Sequence, residues 1–308
     1  MSDARESVLS PTVVAAIDDL ELSARLVVEG MRTGGNRSPF HGYSTEFRQH
    51  RSYRAGDDLK YLDWKLFART DRLYTRQFRE TTNVPVMIVL DSSASMDFPD
   101  GVSKHRYAAI ISAALAYVAS DQGNAVGLMT MADGALSYLP ARGGRQHLRT
   151  IIAMLDRLEA AGTWNPAHVI DRTAQLMRRR GIVIVISDFY DDEDATRRAL
   201  QRVTMHGHDV SVVQLLSPEE SVFDEEGQVE FVDLESGARR LTDAGAIAGR
   251  YRDAMHDFVT RTRTDAVHAG IDYVRLSTDM PPERALRDYL QRRGARHIAG
   301  HAHRPMSR

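Results

Sequence analysis

Val84-Pro85-Val86-Met87-Ile88-Val89-Leu90-Asp91-Ser92-Ser93-Ala94-Ser95-Met96-Asp97-Phe98 is the stretch whose reading decides the fold. Its first seven residues are continuously apolar, where a half-buried strand would alternate, so the strand must be covered on both faces. An acidic, hydroxyl-rich turn follows at once. Further runs of the same kind are AVGLMTM (125–131), GIVIVIS (181–187), DVSVVQLL (209–216) and IDYVRL (271–276). Helical stretches at 104–121, 144–159, 166–179 and 193–206 separate them. Apolar strands alternating with helices predict an α/β fold, a doubly wound, mainly parallel sheet with helices on both faces.

Around 217–241 the alternation lapses into an acidic, glycine-bearing stretch. There QVEFVDL reads as a strand and LESGARRLT as a turn and return, so a hairpin insertion is expected. A long helix over 244–269, the strand IDYVRL and a short helix over 282–292 close the domain. The tail at 293–308 has no apolar period and is expected to be mobile.

Upstream, Ser10-Pro11 is a helix start, and Val13, Ile17, Leu20, Ala24, Val27 and Met31 recur at helical spacing until Gly34-Gly35. One amphipathic helix is expected. Residues 36–83 then mix turn formers with aromatics and charges, which predicts an irregular or short-stranded segment. Tyr53, Tyr61, Trp64, Phe67 and Phe78 carry too much apolar surface to leave in water, so this segment should pack on the sheet domain. The expected division is therefore 1–83, a main domain at 84–292, and the tail.

Composition narrows the function classes. With 43% hydrophobic residues in 308, the chain has enough material for one sizeable core. Forty Lys and Arg against 42 Asp and Glu leave a net charge of −2, with no global field for nucleic acid or an anionic membrane. Cysteine is absent, which excludes disulfides, thiolate metal sites and cysteine nucleophiles. The start MSDARES lacks a basic region before an apolar run, and no apolar run approaches the roughly 20 residues of a membrane-spanning helix. A cytoplasmic location without membrane insertion is expected.

The chemistry is concentrated in a few oxygen-bearing side chains. Asp91, Ser93 and Ser95 follow the first strand of the sheet, at the carboxyl ends where open α/β sheets form their ligand crevice. Asp188 ends a second strand in the same way, in GIVIVIS-DFYDD, and Thr163 lies in the loop AGTWNPAH before a helix. Carboxylates and hydroxyls without nitrogen or sulfur favour Mg²⁺ or another hard divalent cation over zinc or copper. Serine and aspartate after a strand also serve as helix caps and turn formers, the structural alternative. Elsewhere, His206 with His208 and His301 with His303 lack a third ligand in a zinc pattern, and no phosphate-binding glycine motif occurs.

The order and spread of these residues, 70 positions from Ser93 to Thr163 and 25 from Thr163 to Asp188, resemble the metal-ion-dependent adhesion site of von Willebrand factor A domains. Gly42-Tyr43-Ser44-Thr45-Glu46-Phe47, Arg51-Ser52-Tyr53-Arg54-Ala55-Gly56-Asp57-Asp58, Leu62-Asp63-Trp64-Lys65 and Ala68-Arg69 resemble the DUF58 family, itself similar to von Willebrand A domains. Glu80-Thr81-Thr82 is less acidic than that family's pattern. The resemblance implies a noncatalytic protein-interaction module in which a metal held by Asp91, Ser93, Ser95, Thr163 and Asp188 grips an acidic group of a partner. It also implies a MoxR-type AAA+ ATPase as partner and a client protein to be assembled, remodelled or loaded with metal. The enzymatic alternative is a Mg²⁺-dependent phosphohydrolase of haloacid-dehalogenase-like type with Asp91 as phosphoryl acceptor. There the general acid-base position falls on Ser93, a poor proton carrier.

Overall fold

A computed structural model of the chain describes residues 10–33, 45–53, 62–80, 84–99, 101–190, 193–223 and 227–302. Two compact units result, His41–Val84 and the remainder. Gly42–Ser44, Arg54–Asp58 and Tyr61, which carry part of the family resemblance and of the expected aromatic surface, lie outside the described residues, as do the side chains of Lys65 and Phe78.

The larger unit is built on a six-stranded sheet. Its strands are β3 (Pro85–Asp91), β4 (Ala125–Ala132), β5 (Ala135–Arg142), β6 (Ile182–Ser187), β7 (Asp209–Leu216) and β10 (Asp272–Ser277). The spatial order is β10-β7-β6-β3-β4-β5, parallel throughout except for β5, which returns antiparallel along the outer edge of β4. Period-two alternation sends Met87 and Val89, Val183 and Val185, Val210 and Val212 to one face. There they meet Ile170 of α6 (Pro166–Leu176), Val203 of α7 (Glu193–Met205) and Phe258 of α9 (Ala244–His268). The opposite face is covered by the apolar, almost entirely buried α4 (Lys104–Asp121). The expected α/β architecture is the one observed.

The N-terminal region differs in detail. Two helices, α1 (Pro11–Ala15) and α2 (Leu20–Thr33), replace the single one expected. Asp19 causes the break, because its carboxylate accepts from Leu22 N at 3.1 Å and so starts a new helix. α2 buries Leu20, Ala24, Val27, Val28 and Met31 and packs against α4 and α10 (Pro282–Ala302). α10 is also longer than expected, so 293–302 are helical instead of tail. Arg293 explains the extension: it is buried, donates to Ser211 Oγ at 3.0 Å and pairs with Asp209 and Asp272, pinning the helix to two strands.

The expected insertion is present as a short helix α8 (Pro218–Ser221) and a two-stranded hairpin, β8 (Gln228–Val232) with β9 (Arg239–Asp243). α5 (Arg145–Asp156) completes this unit. In the smaller unit β1 (Thr45–Ser52) pairs antiparallel with β2 (Tyr74–Glu80) across α3 (Trp64–Thr70). Asp63 caps α3 by accepting from Leu66 N at 3.0 Å, and Trp64 meets Phe67 edge to face. The described part of 36–83 thus holds two short strands and a helix, where an irregular or short-stranded segment was expected.

Candidate functional site

The sheet register creates the centre of the site. β3 and β6 run in parallel with Leu90 beside Ile186, so their next residues, Asp91 and Ser187, emerge side by side. Ser187 Oγ donates to Asp91 Oδ2 at 2.5 Å, while Ser93 N donates to Oδ1 at 2.9 Å. Both Asp91 oxygens are thus engaged in a residue with no exposed surface. Burial and the neighbouring Asp188 charge push the Asp91 carboxyl well above the usual carboxylate range.

Beyond Asp91, the chain turns so that Ser93 Oγ and Ser95 Oγ lie 3.0 Å apart, and Ser95 Oγ donates to Asp188 Oδ2 at 3.0 Å. Asp188 owes its position to strain. The following Phe189 is buried with φ of +65°, a conformation rare for a bulky residue. Phe189 N donates to Ser187 Oγ at 2.9 Å, and Gln214 Nε2 holds the Asp188 carbonyl at 3.2 Å. Four of the five expected residues therefore converge.

Thr163 arrives differently. Its loop is stitched to the Asp91 turn by Ala161 N to Ser92 O (2.9 Å) and Ala94 N to Gly162 O (3.0 Å). Gly162 is required there, since its φ is +65° and a Cβ would stand 2.6 Å from Asp133 Cα. The Thr163 side chain itself is exposed.

Four further side chains at this site were not anticipated. Lys104, fully buried, donates to Asp188 Oδ2 at 2.7 Å, pairs with Glu220 and lies 5.0 Å from the Tyr190 ring centroid. Glu220 also closes a capping box on Ser217, accepting from Ser217 N at 2.8 Å. Ser187 bridges the two strand ends. Glu235, from the turn of the β8–β9 hairpin, is half-buried, and burial with the Asp188 charge raises its carboxyl. One signal for Lys104 was available in the sequence: a lysine in the first helical position opposes the helix dipole and implies an acid nearby.

Two carboxylates, Asp188 and Glu220, thus share the ammonium of Lys104, while the Asp188 charge also acts on Asp91. Burial raises the carboxyls of Glu220 and Glu235 as well, with Lys104 acting against it at Glu220. Among the described residues no group of three or more His, Cys, Asp or Glu is arranged to hold a metal by itself. A cation here would therefore rest on hydroxyls as well as carboxylates. Hydroxyl and carboxylate oxygens gathered at Ser93, Ser95 and Asp188 are of the type a hard, oxygen-seeking divalent ion takes.

A mainly parallel sheet with an antiparallel edge, carrying an Asp-Ser-Ser-Ala-Ser turn at its carboxyl ends, makes this a doubly wound α/β protein. Residues 49–265 match the model of the family described as "Protein of unknown function DUF58", and the chain belongs to that family. The uncharacterized protein Rv1480 of Mycobacterium tuberculosis is 31% identical over 240 residues, covering 77% of this chain and 75% of that protein. The uncharacterized protein Mb1516 of Mycobacterium bovis matches to the same extent. Among solved structures, an aerotolerance-related membrane protein from Bacteroides fragilis is 19% identical with TM-score 0.48, covering 70% of this chain and all of that one. The VWA domain of SpRpn10 is 14% identical with TM-score 0.40, over 66% of this chain and 94% of that one. In this chain, no helix among the described residues is long and apolar enough to cross a membrane.

Proposed function

We propose that the chain is a noncatalytic interaction module in which Ser93, Ser95, Thr163 and Asp188, with Asp91 behind them, hold Mg²⁺ or a similar hard cation that binds an acidic side chain of a partner. The observation that carries this reading is the convergence of Ser93, Ser95 and Asp188 oxygens at the carboxyl end of the sheet, beside a half-buried Ser95 and an exposed Thr163. Asp91 fits as a group acting through water, because both its oxygens already accept hydrogen bonds. The same engagement and burial make it a poor phosphoryl acceptor. A MoxR-type AAA+ ATPase is the proposed partner, together with a client protein, on the strength of the family resemblance.

Thr163→Ala is the discriminating variant. The exposed side chain can be removed with a stability change within about 0.5 kcal/mol. Loss of a cation-bridged contact should nevertheless weaken ATPase binding by about 2 kcal/mol, roughly 30-fold. Binding isotherms of wild type and variant with Mg²⁺ and with chelator measure this. Equal affinity in all four conditions refutes the grip, and turnover of a small phosphoester abolished by Asp91→Asn would replace it with the phosphohydrolase.

A further inference from the structure

A groove of about 570 Å³ opens between α2, α4 and α5, helices that pack on one another within the larger unit. Three arginines line it, Arg25 from α2 with Arg145 and Arg149 from α5, together with half-buried Tyr117 from α4. Arg145 and Arg149 stand one helical turn apart and so share a face of α5. All three arginines are exposed, and among the described residues none lies within ion-pair distance of an acid. Arginines nearby behave otherwise: Arg32 pairs with Asp121 at 2.5 Å and Arg106 with Asp156 at 3.8 Å. Asp121 also lines the groove, so its charge is already answered by Arg32. Glu21, one turn before Arg25, is the remaining acid of the lining, against three unpaired guanidiniums.

This part of the fold is remote from the strand ends. Lys104 opens α4 beside Asp188, whereas Tyr117 and Asp121 lie toward its other end, roughly 20–25 Å along the axis at about 1.5 Å per residue. A cation at Ser93, Ser95 and Asp188 therefore takes no part in the groove. The groove has the size of a small-molecule site, and its charged lining selects against an apolar ligand. A guanidinium offers two parallel N–H donors to the oxygens of a phosphate. A lone carboxylate engages one such fork. Linked phosphates spread several anionic oxygens over a few ångströms, which suits arginines arriving from two helices around one concavity.

We propose that the groove between α2, α4 and α5 binds a small soluble ligand carrying two or more linked phosphates, with Arg25, Arg145 and Arg149 as its anchors. Glu21 sets the upper limit on affinity, because it opposes any anion placed among them. The site is separate from the strand-end cation site, and its occupation needs no metal.

The test uses the full chain, with inorganic pyrophosphate as probe, at low salt and in the presence of chelator so that no cation bridges the ligand elsewhere. Calorimetric titration compares wild type with Arg25→Gln, Arg149→Gln and Glu21→Gln, and with Arg250→Gln, which removes an exposed arginine of α9 outside the groove. Wild type should bind pyrophosphate, and each of the two groove arginine variants should lose roughly tenfold in affinity. Glu21→Gln should bind about threefold more tightly, and Arg250→Gln as wild type does. Melting midpoints of the variants confirm that each is folded. Absence of pyrophosphate binding by wild type at millimolar concentration overturns the site, as does an equal loss in Arg250→Gln, which would reduce the effect to net charge. A hexaglutamate peptide bound more tightly than pyrophosphate would also overturn it, making the groove a surface for an acidic protein segment.

Discussion

Replacing Lys104 by methionine is the sharpest test of how this site is held together. The ammonium is fully buried and sits between Asp188, 1% exposed, and Glu220. Burial alone would drive the lysine toward neutrality, yet the two carboxylates raise its affinity for the proton above the ordinary 10.5, so the charged form is native. Methionine keeps most of the volume and removes the charge, leaving two carboxylates facing each other out of water. Removing one member of a buried ion pair costs about 3–5 kcal/mol. At about 2–4 °C per kcal/mol for a domain of this size class, the melting midpoint should fall by roughly 10 °C at pH 8. The deficit should shrink at pH 5.5. Glu220 already binds its proton more readily than an ordinary carboxylate, and without Lys104 it moves further up, so lowering the pH neutralises the exposed repulsion. Thermal melts of both proteins at the two pH values decide it. A fall below 2 °C at pH 8, or an equal fall at both, refutes the account of Lys104 as the neutralising group.

Two further expectations concern the scaffold. In Gly127→Ala the new Cβ would meet Ala141 N and Leu139 O at 2.8 Å and Met87 Cε at 2.6 Å; the thioether can yield but the β5 backbone cannot, so a loss of about 1–3 kcal/mol is expected in denaturant melts, and an unchanged midpoint would contradict the close approach of β4 and β5. His208 is buried, and desolvation, with His206 and Arg180 adding, holds its imidazole below the ordinary 6.5, so the native state refuses a proton that the unfolded chain accepts. Its contribution is full above that pH and declines as the pH falls through it; His208→Gln should lose less stability than wild type between pH 7.5 and 5.5, and identical pH slopes would dismiss it.

What the sequence disclosed, and what it hid, follows from the range of each interaction. β3, β4, β6 and β7 were legible because a strand buried on both faces writes itself as an unbroken apolar run. β5 carried no such run: Ala135–Arg142 is a partly exposed edge strand that includes Pro140, and its pairing with β4 declares it only in three dimensions. The apolar spacing from Val13 to Met31 crossed the α1–α2 break without a gap, so the capping role of Asp19 outweighed a pattern that looked continuous. At the site, Asp91, Ser93, Ser95 and Asp188 were visible because each follows a strand end. Lys104 was not, since it meets Asp188 from a distant part of the chain. Glu220 was hidden by its own local sense, because Ser217-Pro218-Glu219-Glu220 reads completely as a capping box with nothing left to explain.

That concealed group bears on why a metal in this site would serve binding more than folding. The Asp91 turn is fixed by protein alone: Ser187 and Ser93 N satisfy Asp91, Lys104 and Ser95 satisfy Asp188, and two backbone bonds tie in the Thr163 loop. A cation is not needed to order these groups, in contrast to zinc modules whose ligands scatter without metal. Lys104 neutralises the deep side of the cluster, where Asp188 meets Glu220. Ser95 brings its hydroxyl to the same Asp188 carboxylate, with the Ser93 hydroxyl beside it, and Ser95 is only half-buried. An ion entering there would meet a set of oxygens already in place. Its removal should cost affinity for an acidic partner while leaving the sheet intact.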